Sequence, residues 1–308
     1  MIKKITAIKT RSKLTSAKAF TLIEVLVASA VMVILVGIVA YIASSVMSTW
    51  NRSSGKLSAN AEARLALDII AQDLETAVLR NNGMQWLCVE GPAGFKPGAP
   101  FTASNSVVLK LFAPPIDRES GDGICAIAYK LEYEPAYTGG PSTYALYRMV
   151  VSPTNTLNNY LSSGYDDPTD SKTVQGSLTG DGRNPATWDG DTITNETNYL
   201  AGNIVEFKVL IYDSSQTASQ PRNGTANNVV DSNYRYGGSD SNAGADVPIY
   251  ADIILTAVTD EGAELLKTRT INGSSERMID LAAKSANDVV LQHGKTLIRR
   301  VNFKSDPI

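Results

Sequence analysis

Three hydrophobic periods follow one another along the chain. From Phe20 to about Val46 the sequence FTLIEVLVASAVMVILVGIVAYIASSV is apolar almost without break, and Glu24 is its one carboxylate. Such a run is long enough to cross a bilayer, which takes about 20 residues. Over 57–80 the spacing changes to threes and fours: Ala63, Leu67, Ile70, Leu74 and Val78 share one helical face. Glu62, Arg64, Asp68, Asp73 and Glu75 lie off that face, and Asn81-Asn82-Gly83 is a stop signal. A second helical stretch is therefore expected to continue the first.

Beyond Gly83 the period drops to two. Strands are expected at 84–90, at 106–112 before Pro114-Pro115, and at 124–134, where Cys125, Ile127, Tyr129, Leu131 and Tyr133 share a face. Thr138-Gly139-Gly140-Pro141 reads as the turn of a hairpin whose second arm is 143–151. Val205, Phe207, Val209 and Ile211 alternate, 248–258 is another strand, and KTLIRRVNF reads as the last one. A helix is expected from Ser275 to about Gln292, with Met278, Leu281, Ala282 and Val289 as its apolar face.

One long helix followed by hairpins predicts an α+β fold, with the helix laid on an antiparallel sheet. The expected organisation is a basic segment at 1–19, a transmembrane helix at 20–46, the exported half of the helix at 47–82, and a β-rich domain at 83–308. Polar stretches at 152–200 and 213–247 read as insertions, long for loops within one domain.

Charge sharpens this division. Six of the 28 basic residues lie within 1–18 and no acid does, which leaves 22 bases against 31 acids, a net of −9, in the remainder. With no clustered Lys and Arg in the exported part, nucleic acid is not an expected partner. A hydrophobic share of 43% and a charged share of 19% belong to a folded chain, not a disordered one.

A basic segment before an apolar run is either a signal peptide or an anchor. The run here exceeds the 7–15 residues of a signal peptide's apolar region, so an anchor is expected. The positive-inside rule keeps residues 1–18 in the cytoplasm and places everything after about residue 47 beyond it.

The boundary Ala19-Phe20-Thr21-Leu22-Ile23-Glu24, continued by Val25-Leu26-Val27-Ala28, resembles the processing site of type IV prepilins and type II secretion pseudopilins. The resemblance implies cleavage between Ala19 and Phe20 by a prepilin peptidase, then N-methylation of Phe20. The family usually has Gly before the cut, and Ala19 keeps a small residue there. It also gives Glu24 a role in assembly. The carboxylate would meet the N-terminal amine of a neighbouring subunit, which neutralises two charges that are costly at membrane depth. Glu24 also lies in the first turn of the helix, where the dipole favours an anion.

A more diffuse likeness, to J-type minor pseudopilins, rests on Ile70-Ala71-Gln72-Asp73-Leu74, Tyr129-Lys130-Leu131, Tyr144-Ala145-Leu146-Tyr147-Arg148 and Pro248. The implied partners are the peptidase, other pseudopilin subunits and an inner-membrane assembly platform. The implied location is the inner membrane, crossed once, and then a periplasmic filament.

Catalytic and metal chemistry has little support. Cys88 and Cys125 have no metal-ligand spacing; they either pair in an oxidising space or are two buried small hydrophobes. The single histidine, His293, has no nucleophile motif beside it. Asp181, Asp189 and Asp191 among glycines are candidates for calcium, but the EF-hand spacing is absent and solvated loop is the reading for them and for Asp166, Asp167 and Asp170. The tyrosines of 129–147 and 234–236 read as core or cross-strand pairs, with a carbohydrate face as the alternative. No cofactor and no enzymatic activity are expected. The expectation is a pseudopilin-type structural subunit for protein secretion. The alternatives are a minor pilin or pilin-like surface protein that binds a ligand, and an anchored enzyme.

Overall fold

The computed structural model describes residues 21–80, 85–93, 106–114, 123–156, 193–213, 220–225, 227–237, 247–266, 268–271, 274–277 and 286–303. The chain divides into two units, residues 1–51 and 52–308. Helix α1, Leu22–Glu75, runs through both.

In the first unit the helix is exposed along its whole apolar stretch and is long and apolar enough to cross a membrane. Its hydroxyls bond back to the helix: Ser29 donates to the Leu26 carbonyl (2.8 Å), and Ser48 and Thr49 both donate to that of Ser45 (3.0 and 2.9 Å). A lipid environment requires such internal satisfaction of polar groups.

In the second unit, Ala63, Ala66, Leu67, Ile70, Ala71 and Leu74 are buried while Glu62, Arg64 and Asp68 stay exposed. Alanine at three of these six positions lets the helix approach the sheets closely. The helix stops at Glu75, short of the Asn-Asn-Gly signal. Ala77 N–H turns to the Leu74 carbonyl (3.2 Å) and Val78 N–H to that of Phe112 (2.8 Å), so a strand takes the amide that would continue the helix.

The strands are β1 Leu87–Ala93, β2 Ser106–Ala113, β3 Cys125–Pro135, β4 Ser142–Val150, β5 Tyr199–Gly202, β6 Ile204–Asp213, β7 Tyr234–Tyr236, β8 Pro248–Val258, β9 Thr268–Ile271, β10 Ser274–Arg277 and β11 Gly294–Asn302. The short helices are α2 Pro153–Thr156, α3 Asp260–Leu266 and α4 Ala286–His293. All strand pairs are antiparallel. They form a six-stranded sheet, β5-β4-β3-β2-β1-β7, a three-stranded sheet, β11-β8-β6, and the β9–β10 hairpin.

One core joins α1 to both larger sheets. Leu87, Val89, Leu109, Leu111, Ile127 and Tyr129 come from the first sheet, and Phe207, Val209, Ile211, Ile253 and Leu255 from the second. The other face of the first sheet is also buried, through Trp86, Cys88, Phe112, Ala126, Ala128, Tyr147, Met149 and Ile193. The α+β architecture is the one the sequence predicts, but the strands divide between two larger sheets and a separate hairpin rather than forming one sheet.

Three further expectations are corrected. The stretch 213–247 contains β7, which pairs with β1, and the segment beside Asn223 that packs against β6. The stretch 152–200 ends inside β5, because Tyr199 already pairs with Tyr147. Ser275 belongs to strand β10 and not to a helix, since it pairs with Thr270; the helical segment among the described residues is Ala286–His293, and Met278, Leu281 and Ala282 lie outside them.

Candidate functional site

The first candidate lies where α1 begins. Thr21 precedes the helix and Glu24 is in its first turn. Thr21 N–H and Oγ1–H donate to the Glu24 carboxylate at 2.9 and 3.0 Å, and Glu24 N–H donates to Thr21 Oγ1 at 3.3 Å. This reciprocal pair is a capping box, in which a hydroxyl residue and a Glu three positions later satisfy each other's free amides. Thr-Leu-Ile-Glu carries that signature in the sequence. Reading Glu24 only as an assembly charge overlooks it. Both donors bind the same carboxylate oxygen, Oε2, so Oε1 keeps its acceptor capacity for an ammonium group. Ala19 and Phe20, the expected cleavage and methylation residues, lie outside the described residues.

A second constellation joins the three motif segments. Asp73 of α1, Tyr129 of β3 and Arg148 of β4 converge in the core with exposures of 2%, 0% and 4%. Arg148 Nε and Nη2 donate to the two Asp73 carboxylate oxygens at 2.9 and 3.0 Å, a bidentate fork. Tyr129 O–H donates to Asp73 Oδ2, and Arg148 Nε lies 2.9 Å from the phenol oxygen. Burial, then the Asp73 charge, pushes the Tyr129 phenol well above its ordinary range, so it remains a donor. The position of Asp73 corrects the helical pattern, which had it off the buried face. Enclosed on all sides, the triad is a clamp between helix and sheet, with no access for a substrate.

Cys88 and Cys125 are both buried and form no disulfide with each other. Cys88 faces Lys110 on one side of the first sheet, and Cys125, opposite Ala113, belongs to the core on the other side. Strand β2 separates them, so a bridge would have to pass through the sheet. Burial, and next the charge of Glu90, push the Cys88 thiol up to about 12, which makes it a poor nucleophile.

His293 closes α4, with Nδ1 3.8 Å from a Glu261 carboxylate oxygen, in a recess also lined by Lys56, Asn60, Thr259 and Lys295. Thr259 Oγ1 accepts from Gly262 N–H and caps α3. Tyr129, Tyr144, Tyr147, Tyr234 and Tyr236 are fully buried, as the core reading of these rings expects, and Tyr133 packs across the strands on Tyr144, but Tyr137 is exposed and departs from it. Asp166, Asp167, Asp170, Asp181, Asp189 and Asp191 lie outside the described residues. Among the described residues no group of three or more His, Cys, Asp or Glu could hold a metal.

Comparison with known proteins adds one match. Residues 14–40 fit the family model of the prokaryotic N-terminal methylation motif, which is typical of type IV pilins and pseudopilins. No curated protein and no solved structure matches the chain. The motif implies processing by prepilin peptidase and assembly with other pilin-type subunits.

Proposed function

We propose that the chain is a pseudopilin-type structural subunit of a periplasmic filament that drives protein secretion. The observation that carries this reading is the methylation motif at 14–40, which contains both Phe20 and the Thr21–Glu24 capping box. The function is assembly, not catalysis. The apolar part of α1 anchors the chain once in the inner membrane, with the basic leader on the cytoplasmic side. Peptidase cuts between Ala19 and Phe20 and methylates the new amine. Glu24, pre-set by Thr21, then accepts the amine of an adjacent subunit and fixes the register of neighbouring helices.

The test is the mass of the N-terminal peptide from full-length protein made with and without prepilin peptidase. The expected result is a peptide beginning at Phe20 and one methyl heavier, formed only with the enzyme. An intact Met1 in both samples would overturn the reading. Loss of secretion on deletion of the gene, with surface pili unchanged, separates a secretion subunit from a minor pilin.

A further inference from the structure

A recess of about 230 Å³ lies where three segments distant in sequence meet within the second unit. Lys56 and Asn60 come from α1, Thr259 follows the end of β8, and His293 and Lys295 stand where α4 passes into β11. The space is far more than one water needs. Each of these five side chains carries a hydrogen-bond donor, with His293 donating from at least one ring nitrogen.

The local fold builds the recess. Thr259 N–H donates to the His293 carbonyl at 3.0 Å, which joins the end of β8 to the end of α4. Glycine on both sides lets the two turns approach closely. A Cβ at Gly262 would lie 2.6 Å from His293 Cβ, and one at Gly294 would lie 2.4 Å from the Val290 carbonyl oxygen. His293 is held between them with its side chain only 13% exposed.

The polar groups on its walls are left without acceptors. His293 Nδ1 is buried and makes no hydrogen bond; the Glu261 carboxylate, at 3.8 Å, is beyond bonding reach. Buried Thr259 uses its Oγ1 to accept from Gly262 N–H at 3.1 Å, which leaves the hydroxyl proton to be donated. Among the described residues, the ammonium groups of Lys56 and Lys295 and the amide of Asn60 have no hydrogen-bond or ion-pair partner. Further along the same seam the pattern differs: Arg299 of β11 reaches Asp68 and Glu75 of α1. Of the two acids that open α3, Asp260 is held by Asn203 Nδ2 at 2.6 Å and Glu261 is 45% exposed. Buried polar groups are normally paired, so donors converging from every wall call for a ligand that supplies acceptors and negative charge.

We propose that this recess binds a phosphate group. Its donors come from three sides and not from one plane, which suits the tetrahedral oxygens of phosphate better than a flat carboxylate. Its cations are two lysines, which act on phosphate as point charges, and it has no arginine fork to match a carboxylate. Bound there, the oxyanion accepts from Thr259, Asn60 and both ammonium groups and ties α1 to the ends of β8 and β11. The phosphate belongs either to a soluble compound or to a lipid headgroup, and the chemistry of recognition is the same for both. The inference does not rest on the proposed function.

His293 is the single histidine of the chain, so the nuclear magnetic resonance signals of its ring report on the recess without competition. The probe is inorganic phosphate, added to full-length protein carrying isotope-labelled histidine in maltoside micelles at fixed pH and ionic strength. The ring signals should move saturably with phosphate and stay in place with chloride. Lys56→Gln and Lys295→Gln should each weaken the apparent affinity about tenfold, the equivalent of one charge-assisted hydrogen bond. Arg299→Gln, whose cation is engaged by Asp68 and Glu75, should leave it unchanged. Lipid nanodiscs separate the two sources. For a headgroup, discs containing phosphatidic acid move the ring by themselves and added phosphate moves it no further. For a soluble compound, the ring moves only when phosphate is added, in phosphatidylcholine discs as in micelles. The inference is overturned if neither phosphate source moves the ring, if acetate moves it at the same concentrations as phosphate, or if either lysine variant binds phosphate as tightly as the unaltered chain.

Discussion

Arg148 of β4 grips both carboxylate oxygens of Asp73, 75 residues away in the sequence, with less than a twentieth of either residue exposed. A charge pair this deep contributes little net stability compared with a well-packed apolar pair, because desolvation cancels most of the attraction. Its consequence is geometric. The planar fork and the Tyr129 hydroxyl fix one rotation and one axial position of α1 against β3 and β4.

The first prediction concerns what remains when one partner is lost. Arg148→Met leaves a buried carboxylate and Asp73→Leu a buried guanidinium, and each should destabilise the second unit by about 3–5 kcal/mol. The double variant should recover a large part of that loss. Urea midpoints of the full chain in micelles, followed by near-ultraviolet circular dichroism, provide the check. Additive losses in the double variant would show that the two residues do not act as a pair.

By contrast, Arg299 contacts Asp68 and Glu75 at the surface, with side chains 39%, 65% and 34% exposed. Arg299→Gln should cost under about 1 kcal/mol, less still in high salt. If the same unfolding assay gives a loss as large as that of Arg148→Met, burial is not what separates the two pairs.

Periodicity located α1 and seven of the strands, β1, β2, β3, β4, β6, β8 and β11, because each buries a face wide enough to leave an alternating trace. It failed where the determinant was a partner distant in sequence. Asp73 looks like a surface residue from its charge alone; Arg148 and Tyr129 make its burial tolerable. Strand β7 is Tyr-Arg-Tyr within polar sequence, too short to show a period, and exists because β1 offers it an edge. At the helix start the signal was present in the sequence. Thr21 and Glu24 have the capping-box spacing, and the same carboxylate serves the cap and the expected assembly contact.

The capping box yields the next prediction. Thr21→Ala removes the hydroxyl that accepts from Glu24 N–H and should weaken the first turn by about 1 kcal/mol. Amide exchange at Glu24 in micelles should then speed up about fivefold. On the proposed function, Thr21→Ala should still assemble with partner subunits, whereas Glu24→Ala should not. Normal filaments from Glu24→Ala would remove charge pairing from the mechanism.

Asn223 carries a larger share of stability than a loop residue usually does. It is fully buried and supplies one acceptor and one donor to β6. Asn223→Ala orphans Ile211 N–H and the Val209 carbonyl, at about 1–3 kcal/mol for each group. Asn223→Asp keeps the acceptor but sets a carboxylate against a carbonyl, so its stability should improve as pH falls and the acid becomes a donor. A loss in Asn223→Asp that is flat between pH 4 and 8 would rule out this account.

The last prediction follows from Tyr129 and Cys88, whose protons are held more tightly in the folded chain than in the unfolded one. Their neutral forms therefore favour folding at full strength below the unfolded pKa values. As pH rises past these, the unfolded state gives up protons that the native state retains, and stability falls. For Cys88 the window runs from 9.0 to about 12 and corresponds to about 4 kcal/mol in total. For Tyr129 the fall begins near 10.0, the ordinary value of the phenol. Urea midpoints measured from pH 8 upward should decline steeply above pH 9. Tyr129→Phe should flatten the part of the curve above 10, and Cys88→Ala the part that begins at 9, each on top of its own constant packing loss. Maleimide should label neither thiol of the native protein at pH 8 and both on unfolding. Rapid native labelling of Cys88 would contradict the burial from which its part of the alkaline slope is derived.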